Sequence, residues 1–209
     1  MTDKDTPPSL WSPRSVDDTK KIYADWADTY DRDVTDMAYA TPSRVAAALR
    51  GLKVDVTTPV LDFGCGTGLS GVALRQAGFE TVDGTDISSQ MLAHADVKTL
   101  PDGPVYRNTW LGDPDTIDIA KGAYDTIVAT GVISLGAAPA SLLATLVGLL
   151  PRGGHIAFSF NDPTLKDQSY INALDDVLHS QLADLKFREH GPHLNEKVTG
   201  SDVIVLKRK

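Results

Sequence analysis

The chain is poor in several things, and each shortage excludes a class of protein. One cysteine, Cys65, stands among 209 residues, so an internal disulfide and a cysteine-based metal cluster are both ruled out. No apolar run approaches the ~18–20 residues that a bilayer demands. The opening MTDKDTPPSLWSP lacks an apolar core of signal-peptide length. A soluble, cytoplasmic protein with no membrane partner is expected. Positive charge is also short: 20 Lys and Arg face 28 Asp and Glu, a formal charge of −8. That field repels a nucleic-acid backbone, so no nucleic-acid partner is expected. The basic clusters Lys20-Lys21 and Lys207-Arg208-Lys209 read as solvated ends. His94, His155, His179, His190 and His193 are scattered without ligand spacing, and no metal is expected.

What is present is a 42% apolar fraction, enough for a real core. Residues 1–16 are proline-rich at their start and read as a flexible arm, followed by one domain over 17–209. Ile22, Trp26 and Tyr30 recur at four-residue steps, a helical face. TPSRVAAALRGL is a second helix with a start signal and a glycine stop. Beyond it, short apolar runs at 59–64, 81–87, 104–110, 124–133 and 155–161 alternate with helical stretches, among them a short one at 113–120. Such alternation indicates a mainly parallel sheet covered on both faces. After a helix across about 165–182, DLKFREHG and SDVIVLKRK follow each other with no helix between them. They read as a hairpin, which turns one of the last strands antiparallel. The expected fold is a Rossmann-like, doubly wound, mainly parallel seven-stranded α/β sheet with N-terminal helices (17–52) laid over it.

The stretch VLDFGCGTGLSG (60–71) holds four glycines behind an apolar run and contains a literal G-x-G-x-x-G, Gly66 to Gly71. Asp86 lies twenty residues beyond Gly66, as in the dinucleotide-binding pattern. Asp62 argues otherwise. A pyrophosphate seeks bare amide N–H groups at a helix N-terminus, and a carboxylate at the mouth of the turn repels it. Placing the turn at Gly66 also forces a charge and a glycine into the strand end. A ligand bearing an ammonium and a sulfonium makes Asp62 a partner, and a hydrogen bond involving a charged group is worth about 1.5–3 kcal/mol. The turn then starts at Gly64, with Gly66 and Gly68 letting the backbone approach the ligand.

These residues resemble the glycine-rich motif of class I S-adenosylmethionine-dependent methyltransferases. VDGTDIS is similar to that family's second strand, SSQMLAHA to the helix after it, and YDTIVATGVI and LLPRGGHIAF to its fourth strand and the turn into its fifth. IYADWADTYDRDV is similar to a segment that lies over the cofactor in many small members. The run from about 20 to 161 looks closest to the small Williams–Beuren-region methyltransferase-like subgroup. The resemblance implies S-adenosyl-L-methionine as cofactor and a small-molecule methyl acceptor, in a monomer or homodimer. It implies cofactor contacts from Tyr23, Tyr30, Asp62, Gly64, Cys65, Gly66, Gly68, Asp86, Ile87, Met91, Trp110, Leu111 and Thr130. Asp86 is the ribose ligand in this reading, Met91 packs near the adenine, and Trp110 and Leu111 flank it. The acidic residue that many members place after the third strand is missing from NTWLGDPD, where Asp113 is a stand-in. Cys65 reads as a small filler without an activating histidine. Asn161 and Asp162 read as a helix cap. No catalytic base stands out. Two other classes stay open: an NAD(P)-dependent oxidoreductase on the same kind of sheet, and a non-catalytic protein that binds S-adenosylmethionine or S-adenosylhomocysteine.

Overall fold

Alternating residues along the buried strands face two separate cores, and this places the elements. In a computed structural model, which describes residues 15–113, 116–195 and 198–209, Val60, Val128, Ala157 and Val205 pack on one face. Leu61, Ile127, Ile156, Phe158 and Leu206 pack on the other. The first face is covered by α2 (Thr41–Gly51), α3 (Leu69–Gln76) and α4 (Ser89–Asp96), the second by α5 (Leu142–Leu149), the short α6 (Asp162–Leu165) and α7 (Gln168–His179). Strands buried on both faces in this way are the signature of a parallel sheet inside a layered α/β fold. The arm expected over residues 1–14 lies outside the described residues.

The sheet contains β1 (Val60–Phe63), β2 (Val82–Asp86), β5 (Asn108–Leu111), β6 (Thr126–Ala129), β7 (His155–Asn161), β8 (Ala183–Pro192) and β9 (Gly200–Arg208). Its order is β5-β2-β1-β6-β7-β9-β8. The first five are mutually parallel; β9 runs antiparallel to both β7 and β8. The expected seven strands and the terminal hairpin are both present. Strand order reverses between β1 and β6, and a ligand in an open sheet lies beyond the carboxyl ends of the strands at that point. Helix α1 (Val16–Asp36) starts with the Ser15 side chain accepting from the Asp18 amide and carries acidic Asp17 and Asp18 in its first turn, both favourable at a helix N-terminus. None of the helices among the described residues is long and apolar enough to cross a membrane.

Three local expectations need correction. The strand expected over 104–110 is β5, which starts four residues later at Asn108. Gly103–Pro104 (β4) instead pairs with Thr99–Leu100 (β3), and Val105 and Tyr106, which follow β4, are buried in the first core. The run 124–133 is a strand only to Ala129, since Gly131 takes φ +74 and turns the chain. The helix expected at 113–120 is not formed over 116–120. Thr116, Ile117 and Ile119 are β-branched and poor helix formers, and Ile119 packs against the second core instead.

Candidate active site

At the switch point the first strand ends at Phe63 and the chain turns at Gly64, Gly66 and Gly68, which hold φ of +70, +55 and +98. Only glycine visits that region at little cost. Gly64 is further constrained by contact, because a Cβ there would lie 2.4 Å from a Val132 methyl. A Cβ at Gly66 would meet no protein atom within 4 Å, so the space above it is open. That space is part of a cavity of about 1140 Å³ at the carboxyl ends of the strands. The turn thus starts at Gly64 as the sequence implied, with Gly68 serving as N-cap of α3.

Asp86 closes the loop from the next strand. Its Oδ2 accepts from the Gly66 amide at 2.8 Å and its Oδ1 from the Ser88 amide at 2.8 Å. Ser88, not Asp86, is the N-cap of α4, accepting from the Met91 amide. Burial holds the Asp86 carboxyl above its ordinary range. Cys65 is buried and its thiol is pushed well up by desolvation, which suits a filler and not a nucleophile.

Eleven of the thirteen proposed cofactor residues meet at this cavity. Gly64, Cys65, Gly66 and Asp86 line its floor, while Ile87, Met91, Trp110 and Leu111 form one end and Thr130 stands just past the end of β6. Tyr23 and Tyr30 reach it from α1, where they pack with Trp26 as an aromatic cluster (Trp26–Tyr30 centroids 4.6 Å). Asp113 also lies on the wall. Gly68 stands just behind the loop, under Tyr106 and Lys98.

Asp62 is the correction. Strand alternation turns it to the face of Val60, under α3, where it is fully buried and absent from the cavity wall. The Tyr106 hydroxyl donates to its Oδ2 at 2.8 Å, and its Oδ1 has no partner among the described residues. Desolvation raises its carboxyl to about 7. It supports the loop from behind; it does not stand at its mouth.

Tyr106 was given no role by sequence, yet it explains three glycines. A Cβ at Gly71 would lie 2.4 Å from Tyr106 Cζ and Oη, at Gly84 2.9 Å from its Cε1, and at Gly68 2.9 Å from its Cε2. The last glycine of the literal G-x-G-x-x-G therefore makes room for this ring. Asp31 was also missed: its carboxylate accepts from the Thr67 hydroxyl of the glycine loop and pairs with Lys98, tying α1 down across the site. Sequence offers one signal for it, an acidic residue on a helix whose apolar face is already fixed. Tyr39 and His193 complete the wall near β7, their rings edge to face at 5.2 Å, and periodicity contains no hint of that meeting.

The cradle fits a cofactor with a ribose and a charged amino-acid tail. The loop is open above Gly66, and Thr130 Oγ1 is a buried hydroxyl without a partner among the described residues. No lysine or arginine is among the described residues that line the cavity, while Asp86, Asp113 and Asp118 are. A diphosphate has nothing cationic to meet there.

This strand order, with its antiparallel terminal pair and a glycine loop backed by an acid on the second strand, is the arrangement of the class I S-adenosylmethionine-dependent methyltransferase fold, and it is to methyltransferases that the chain is similar. Residues 61–156, from β1 into β7, match the family model described as a methyltransferase domain. Among curated proteins, human methyltransferase-like protein 27 is 29% identical over 144 residues, 63% of this chain and 54% of that protein, so the match takes in about half of the relative's length. Among solved structures, magnesium protoporphyrin IX methyltransferase from Synechocystis PCC 6803 with bound SAM has a TM-score of 0.68 at 21% identity, covering 98% of this chain and 100% of that one. A chain in the complex between the Haloferax volcanii Trm112 methyltransferase activator and a methyltransferase has a TM-score of 0.68 at 18% identity, covering 93% and 97%. At these identities the two structures show a shared fold.

Proposed function

We propose that this protein binds S-adenosyl-L-methionine in the cavity above the glycine loop and transfers its methyl group to a small organic acceptor, within a cytoplasmic enzyme whose catalytic domain spans residues 17–209. The observation that carries the reading is a carboxylate-lined cavity with no lysine or arginine among the described residues that line it, placed over a glycine loop at the switch point. Such a wall suits a cationic ligand and opposes the diphosphate of a nicotinamide cofactor. The structural relative with bound SAM and the human methyltransferase-like relative support it.

In this proposal Asp86, at the end of β2, receives the ribose hydroxyls while bracing the loop through Gly66. Ile87, Met91, Trp110 and Leu111 enclose the adenine, with Asp113 beside them. Gly64, Cys65, Gly66 and Thr130 receive the amino-acid tail, Gly68 shapes the turn, and Asp62 acts from behind through Tyr106. When bound, S-adenosylmethionine supplies a methyl group already activated on a sulfonium sulfur. The protein's task is then alignment and exclusion of water, and orientation alone can supply about 7–11 kcal/mol of barrier reduction. Tyr23, Trp26 and Tyr30 of α1 cover the site, and the Asp31 clasp to Thr67 and Lys98 holds that cover in place.

Titration calorimetry with S-adenosylmethionine, S-adenosylhomocysteine and NADH tests the reading. Both sulfur compounds bind and NADH does not; tight NADH binding with none for the sulfur compounds overturns it. Methylated product from a screen of small acids, phenols, thiols and amines separates an enzyme from a binding-only protein.

A further inference from the structure

The corner of the cavity between α2, β7 and the β8–β9 connection is lined by polar side chains whose hydrogen-bond polarity is fixed by the fold. Arg44 of α2 can only donate, and its Nη1 lies 3.1 Å from Ser201 Oγ. Ser201 Oγ is 3.1 Å from Thr41 Oγ1, which is 2.7 Å from His193 Nδ1. Ser201 and Thr41 are fully buried, so both hydroxyl protons need acceptors. With Arg44 donating to Ser201, the arrangement that satisfies both protons runs Arg44 to Ser201 to Thr41 to His193. The reverse direction leaves the Ser201 proton without an acceptor. Nδ1 therefore accepts, the imidazole proton sits on Nε2, and Nε2 has no partner among the described residues.

Asn161, directly across the β7–β9 ladder from Ser201, is oriented by the same logic. Its Oδ1 accepts from the Thr164 amide at 3.1 Å and the Thr164 hydroxyl at 2.7 Å. An amide N–H can only donate, so Asn161 must present its oxygen there and is left with its Nδ2 hydrogens. The Tyr39 hydroxyl rests against Gly131, where an added Cβ would lie 3.0 Å from it. Burial holds that phenol well above its usual range, in the protonated form. Desolvation lowers His193 to about 4, so its imidazole is neutral at pH 7. All three side chains line the cavity.

This wall offers hydrogens, and the acceptor atoms of His193 and Asn161 are already filled. An amine or alcohol would have to lose a proton while attacking, and neither Nδ1 nor Oδ1 is free to take it. A carboxylate meets both conditions: its oxygens accept from the wall, and it is already deprotonated at neutral pH. Arg44 stands behind the chain with 15% of its side chain exposed, 3.9 Å from the Glu189 carboxylate, and Asp162 acts on His193 with the opposite sign, so it is the hydrogens of the wall, and not a positive field, that select the acceptor. We infer that the methyl acceptor is a carboxylate, held by His193 Nε2–H, Asn161 Nδ2–H and the Tyr39 hydroxyl, and that the product is a methyl ester. The carboxylate oxygen supplies the electron pair of the new O–CH3 bond, the pair of the broken S–CH3 bond stays on sulfur, and no proton changes hands. The inference rests on the methyl-transfer reading above.

The test is calorimetry on protein saturated with S-adenosylhomocysteine, using benzoate, benzamide and benzylamine as probes of similar shape. Benzoate should bind at least ~10-fold tighter than the other two, since hydrogen bonds to a charged acceptor are the stronger ones. His193→Gln keeps an N–H near the Nε2 position and retains the preference, whereas His193→Leu loses it. Asn161→Asp keeps the helix-capping oxygen and puts a like charge on the wall, so benzoate falls below benzylamine. Unchanged S-adenosylhomocysteine affinity and melting temperature certify that each variant is folded. Benzoate binding no tighter than its counterparts, including the case in which none binds, overturns the inference, as does His193→Gln behaving like His193→Leu. Failure of S-adenosylhomocysteine itself to bind defeats the methyltransferase reading instead, so the two failures are distinguishable.

Discussion

Gly71→Ala decides whether the last glycine of the G-x-G-x-x-G is there for a ligand or for a side chain. Gly71 is the third residue of α3, and in a helix alanine is favoured over glycine by about 1 kcal/mol. If nothing opposed the new methyl, the variant would be more stable than the parent. The structure predicts the opposite sign. The added Cβ would lie 2.4 Å from Tyr106 Cζ and Oη, where ordinary contact needs at least 3.4 Å. Tyr106 has nowhere to go: its other edges rest on Gly68 and Gly84, and its hydroxyl is tied to the buried Asp62. Overpacking of a locked site costs up to about 3 kcal/mol. Displacing the ring also weakens a hydrogen bond to a charged group, a further ~1.5–3 kcal/mol. After the helix gain, the net loss is about 3 kcal/mol, or a fall in melting temperature on the order of 6–12 °C for a chain of this size. Urea and thermal denaturation measure it, and in a Tyr106→Leu background, where the ring is gone, the same Gly71→Ala change should cost little or nothing. A Gly71→Ala variant as stable as the parent or more so would refute the placement of Tyr106, and with it the account of why Asp62 faces away from the cavity.

Asp86→Ala should weaken S-adenosylhomocysteine binding at least ~10-fold, because it removes both a ribose acceptor and the brace on the Gly66 amide; calorimetry reads it, and unchanged affinity sinks the ribose assignment. Asp62→Asn should raise stability at pH 8 and flatten the pH profile. A carboxyl raised to about 7 in the folded protein favours folding fully below the unfolded value near 4, and that contribution is lost as pH climbs to about 7. The gain is bounded by about 4 kcal/mol, and denaturant melts between pH 4 and 8 check both its sign and its window. Asp31→Ala should loosen α1 without unfolding the sheet, since it cuts the ties to Thr67 and Lys98. Hydrogen exchange in residues 16–36 should then speed up while that of β1 and β6 stays slow.

Much of the site was legible because one dense stretch specifies it. Three glycines in alternation predicted the turn, and their positive φ values confirm it at Gly64, Gly66 and Gly68. The sheet was legible because strands covered on both faces are apolar throughout, and the terminal hairpin because no helix fits between Asp184 and Lys209. What sequence hid are meetings between distant segments. Tyr106 reaches Asp62 across 44 residues, and His193 reaches Thr41 across 152. No local period records either pairing.

Asp62 shows how far a shorter rule could have gone. The charge argument that set it at the mouth of the turn took only its place in the sequence, next to Gly64. A strand has period two, so Val60 and Asp62 share one face while Leu61 and Phe63 share the other. Both faces of this sheet are covered, so either orientation buries the carboxylate. A buried carboxylate needs a donor, and the donor had to come from something packed on the Val60 face. Gly71 and Gly84 give up side chains on that face, and the space they leave is filled by the ring of Tyr106. The last glycine of the pattern that suggested a dinucleotide loop is therefore part of a packing slot. Asp62 still matters to the site, since it fixes through Tyr106 the start of α3 on which the Gly64–Gly68 turn is hung. The preference for a cationic ligand survives on other residues: Asp86, Asp113 and Asp118 on the wall, with no lysine or arginine among the described residues beside them.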